Sequence, residues 1–66
     1  MNVTFICKCF MCPQDFDIHL DGKYVGNVYE RHGHLTVYYG DAIILEKDIE
    51  AGADIIEEAE IAIKNQ

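Results

Sequence analysis

Basic residues are scarce. Five Lys and Arg stand against twelve Asp and Glu, which leaves a formal charge of −7 at pH 7. Affinity for nucleic acid rests on Lys and Arg displacing counterions from phosphates. The balance therefore argues against direct binding of DNA, RNA or an anionic membrane, and a basic protein surface is the natural partner. Proline is almost absent, with Pro13 alone, and no repeat, low-complexity tract or linker divides the 66 residues. So short a chain has room for one domain, buries only about 60% of its unfolded surface, and leaves little space for a deep substrate pocket. No apolar run has the length of a membrane span. Also missing are a Ser–His–Asp order, a P-loop, a dinucleotide fingerprint and HExxH. The expectation is a non-enzymatic protein.

The start, MNVTFICKCFMCP, leans apolar, but Lys8 interrupts it. It has neither the basic lead nor the small-residue cleavage site of a secretory signal. Asn2-Val3-Thr4 fits a glycosylation acceptor, which is idle without secretion. Three cysteines cannot all pair within one chain. These features together point to a reducing cytoplasm rather than a disulfide framework.

What is present is a change of period. Half the residues are apolar and 26% are charged, the composition of a folded domain. Residues 2–10 (NVTFICKCF) read as a strand. Val3, Phe5, Cys7 and Cys9 are expected on one side and Thr4, Ile6, Lys8 and Phe10 on the other; both sides are largely apolar, as in a central strand. DFDIHL alternates, with Phe16, Ile18 and Leu20 inward and Asp15, Asp17 and His19 on a wet face. Asp21-Gly22 is a strong hairpin signal, because both residues tolerate positive φ. It sets Leu20 opposite Lys23 and Ile18 opposite Val25, and Gly26 marks a bulge or a close backbone approach. A turn around Gly33, a strand LTVYY closed by Gly40-Asp41, and a short extended run AIILE follow.

From Asp48 to Lys64 the apolar residues recur at helical spacing: Ile49, Gly52/Ala53, Ile56, Ala59 and Ile63. Asp54-Ile55-Ile56-Glu57 resembles a capping box and offers a later start. Glu60 and Lys64 form an i, i+4 pair in the favourable order. The fold class this implies is α+β, a two-layer domain. A four- or five-stranded, mostly antiparallel sheet over residues 2–46 carries one C-terminal helix, about 48–64, on one face. Phe16, Ile18, Leu20, Val25, Leu35 and Val37 are expected to meet Ile56, Ala59 and Ile63.

Four constellations could carry function. Cys9 and Cys12 have the spacing of half a zinc knuckle, with Cys7 and one of His19, His32 or His34 as further ligands; the second ligand pair of a full site is missing. The bland reading is buried thiols. As a redox pair, Cys9 and Cys12 lack the helix that would lower a thiol pKa. His32-Gly33-His34 could titrate or bind metal, although loop histidines are commonly solvated. Tyr24, Tyr29, Tyr38 and Tyr39 are suited either to cross-strand packing or to an interface, and adjacent Tyr38 and Tyr39 must face opposite sides.

The fourth constellation is the acidic segment Glu46, Asp48, Glu50, Asp54, Glu57, Glu58 and Glu60. On a helix, Glu50, Asp54 and Glu57/Glu58 would share one side, serving as a solvated face or as a row of carboxylates standing in for phosphates. In size, charge and motif content the chain resembles the small stand-alone inhibitors of bacteriophages and mobile elements. Some of these (anti-CRISPR and anti-restriction proteins) are acidic nucleic-acid mimics. The resulting expectation is an inhibitor that sets Glu50, Asp54, Glu57, Glu58 and Glu60, with Tyr38 or Tyr39 as anchor, against a nucleic-acid-handling partner. A zinc module using Cys7, Cys9, Cys12 and His34, and a homodimer formed through a sheet edge, are the alternatives.

Overall fold

The computed structural model describes residues 2–9, 14–50 and 52–66. In it the strand-forming runs pair with their sequence neighbours. The strands are Val3–Cys9 (β1), Gln14–Leu20 (β2), Lys23–Arg31 (β3), His34–Tyr39 (β4) and Ala42–Asp48 (β5), and one helix, Ile55–Lys64 (α1), follows. The strands form one antiparallel sheet in the order β1-β2-β3-β4-β5. Turn chemistry produces this meander. Asp21 (φ 50°) with Gly22 (φ 85°), and His32 (φ 53°) with Gly33 (φ 79°), give two-residue turns with both central residues at positive φ. That is the geometry whose twist matches paired strands.

Gly26 shows both behaviours expected of it. Leu20 opposes Lys23 and His19 opposes Tyr24, but Ile18 then opposes Gly26, so Val25 is the extra residue of a bulge. Ile18 is therefore not opposite Val25. The approach is also close: a Cβ at Gly26 would run into the Tyr38 carbonyl oxygen, with the carbonyl carbon at 2.9 Å and the Tyr39 Cα at 3.2 Å.

β1 is an edge strand, not a central one. In a meander the first strand has a single neighbour, so its second apolar side stays open. A register shift after Cys7 sets Cys7 opposite Phe16 and Cys9 opposite Asp15. The two cysteines therefore do not share a face.

The helix starts at Ile55, later than the periodicity from Asp48 indicates. β5 continues to Asp48, and the Ile49 N–H donates to the Gly33 carbonyl at 2.8 Å. Gly52 then takes φ 85°. Asp54 is the N-cap, its carboxylate accepting from the Glu57 N–H at 3.1 Å. An oxygen-bearing side chain at this position satisfies a donor that would otherwise be orphaned, an effect of about 1 kcal/mol. Asn65 closes the other end.

The core is Ile18, Val28, Leu35, Val37, Ile55, Ala59 and Ile63. Phe16, Leu20, Val25 and Ile56 are only partly buried against it. The helix has ten residues and packs over β3, β4 and β5. At about 15 Å long it leaves the β2 side chains other than Ile18 half covered. Among the described residues, no second helix or sheet packs on the opposite face of the sheet, and no helix is long and apolar enough to cross a membrane.

Candidate functional site

Strand alternation sends every second side chain away from the helix. The register aligns these residues in rows across the uncovered face. One row is Ile6, Asp17, Asn27, Tyr38 and Ile43; the next is Asp15, Tyr29, Thr36 and Glu46. His19 and Tyr24 pair at one end, and Arg31, His34 and Asp48 at the other. The exposed large apolar side chains are Ile6 (46%), Tyr24 (56%), Tyr38 (36%), Ile43 (52%) and Ile61 (51%). All but Ile61 lie on this sheet face. Tyr39, on the other side of the strand, packs against the core.

The polar groups between them hold one another in place. The Asn27 side-chain amide donates to the Asp15 carboxylate and, at 3.0 Å, to the Phe16 carbonyl. Lys8 reaches Asp17 at 3.8 Å, an exposed contact worth little by itself. The His19 and Tyr24 rings meet edge to face, centroids 5.9 Å apart, which is the cross-strand pairing expected of them.

His34 lies between two carboxylates. Its Nε2 is 2.8 Å from Glu46 Oε2 and its Nδ1 is 3.0 Å from Asp48 Oδ1. The hydrogen bond to Asp48 and then that to Glu46 raise its pKa above the ordinary 6.5. A raised folded-state pKa means that the imidazolium stabilises the fold fully below the unfolded value. That contribution is lost as pH rises through the folded pKa. An NMR titration is expected to place His34 above 6.5, with stability declining slightly as the solution is made alkaline past that point. A His34 midpoint at or below 6.5 would contradict the clamp.

The acidic segment does not form one face. Glu50 and Asp54 precede the helix, and Asp54 is occupied as its cap. Glu58 pairs with Lys47 at 2.9 Å and Glu60 with Lys64 at 3.1 Å. At 3.6 residues per turn, Glu58 is turned about 160° from Glu60. The expectation of one carboxylate row fails because the helix begins after Glu50 and Asp54. Glu50 instead lines, with Glu30 and His32, a cavity of about 480 Å³ beside the start of α1. Both oxygens of Glu30 are engaged there, Oε1 by the Gln14 amide at 3.3 Å and Oε2 by the Gly33 N–H at 2.9 Å.

The candidate metal ligands are dispersed. Cys7 and Cys9 are exposed on β1, and His34 is on β4, three strands away, or about 14 Å at normal strand spacing. Cys12 lies outside the described residues. Among the described residues, no group of three or more His, Cys, Asp or Glu converges as a metal site.

The sequence signals for the uncovered face were scattered. The alternation of DFDIHL already marks Asp15, Asp17 and His19 as a wet side. What links them to Ile6, Tyr29, Tyr38 and Ile43 is strand order and register, including the bulges at Val25 and between Cys7 and Cys9. No protein-family model matches the chain, and no curated protein or solved structure matches it.

Proposed function

We propose that this chain is a non-enzymatic protein-binding module working in the cytoplasm. It sets its uncovered sheet face against a basic surface of a partner that handles nucleic acid, and inhibits that partner by occupying the surface. One observation carries the reading: Ile6, Tyr24, Tyr38 and Ile43 are exposed together on one face, interleaved with Asp15, Asp17, Glu46 and Asp48. Tyr38 and Ile43 are direct cross-strand neighbours, and clustered exposed apolar residues mark an interaction site more often than single ones do. Tyrosine adds rigid area with a polar tip. The carboxylates occupy the place of phosphates on the partner. The net charge of −7 steers encounter with a positive surface and turns the chain from nucleic acid and anionic membranes.

In this reading Tyr38 is the anchor. Glu50, Asp54, Glu57, Glu58 and Glu60 add long-range attraction without direct contact, and Tyr39 serves the core. No metal is needed. A pull-down from the native host, read by mass spectrometry and repeated with variants, tests it. Tyr38→Ala is expected to cost about 2 kcal/mol of affinity, the scale of an aromatic hot spot, and so to lose the partner. The pair Glu57→Lys, Glu58→Lys is expected to retain it with a slower association rate. Retention by Tyr38→Ala with loss by the helix pair would contradict the assignment.

A further inference from the structure

We infer that the uncovered face selects arginine over lysine, and that its occupant is an arginine-bearing segment of the partner seated on Tyr29 beside Asp15. This inference rests on the binding reading above and names the partner's chemistry.

The row Asp15, Tyr29, Thr36, Glu46 carries it. Tyr29 is paired directly with Asp15 across β2 and β3, so the two side chains rise as neighbours from adjacent strands. Glu46 closes the row two strands further on. An aromatic face with a carboxylate at its edge fits a guanidinium. The flat cation stacks on the ring while its N–H fork reaches the carboxylate. An ammonium has no plane to stack, no fork, and a tighter hydration shell to give up. Asp15 is also fixed in place, since the Asn27 amide donates to it. Little side-chain freedom is then lost when a ligand arrives.

A second copy of this chain does not fit the same face. Each copy carries −7, so two copies repel one another on approach. Arg31 is the sole arginine in the sequence, and it stands opposite His34 in the β3–β4 register. The arginine comes from another protein.

The test is an NMR titration of the ¹⁵N-labelled chain with nona-arginine and with nona-lysine at equal salt. The arginine peptide is expected to bind roughly fivefold more tightly, the effect of one exposed cation–π contact, with shifts at residues 15, 17, 27, 29 and 38. Tyr29→Leu removes the ring and keeps an apolar side chain. It is expected to bring the two affinities together, with nona-arginine losing more than nona-lysine, and an unchanged amide spectrum away from β2 and β3 shows that the variant is folded. Equal affinity of the two peptides on the sheet face overturns the arginine inference and leaves the docking reading standing. Shifts confined to α1 and Glu50, or no binding of either peptide, overturn both.

Discussion

Gly26→Ala is expected to remove a large share of the protein's stability. The methyl group would meet the Tyr38 carbonyl oxygen, its carbon and the Tyr39 Cα. All three are backbone atoms of the neighbouring strand, so no side chain can swing aside. Relief requires β3 and β4 to separate at the centre of the sheet. Overpacking of a core typically costs 1–3 kcal/mol and more where the backbone must move; about 3 kcal/mol or above is expected here. A chain of this length has a net stability of about 3–10 kcal/mol. Urea denaturation followed by circular dichroism measures the loss. A change below about 0.5 kcal/mol would show that the two strands are not in this close contact.

The second large effect is expected at Ile18. It is fully buried at the centre of the core with Val28, Leu35 and Val37. Ile18→Ala removes buried carbon and leaves a cavity in the core, at a cost of about 3–4 kcal/mol. Ile43→Ala makes the same chemical change on the uncovered face, where the side chain is 52% exposed. Its effect is expected within about 0.5 kcal/mol. The contrast bears on function as well as folding, because Ile43 contributes area to the exposed patch at little benefit to stability. Equal losses from the two variants would mean that the uncovered face is buried in solution.

The fold class was readable because its signals are local. Asp21-Gly22 fixes a hairpin, DFDIHL fixes inside and outside, and the Ile/Ala spacing of the last third fixes an amphipathic helix. Gly26 was legible as a bulge or close approach, and it is both. The edge position of β1 was not legible, since VTFICKC is apolar on both sides and periodicity alone cannot say whether a second strand or solvent covers the other one. The helix start was ambiguous for a physical reason. Ile49 keeps helical spacing with later residues, yet it is tied to the Gly33 carbonyl, and Gly52 at positive φ breaks the run before Asp54 caps it. That shift moved Glu50 and Asp54 off the helix and dissolved the single acidic face. The uncovered patch was legible residue by residue but not as a set, because Ile6 and Ile43 come from opposite ends of the sheet and only the five-strand register joins them to Tyr38.

A photo-crosslinking amino acid placed at Tyr38 in one chain and at Glu57 in another probes directly which surface meets the partner in a host extract. Irradiation is expected to trap a basic protein from position 38, in a yield that falls as salt is raised, and to trap none from position 57. Capture from position 57 with none from position 38 would put the contact on the helix and contradict the assignment of the sheet face.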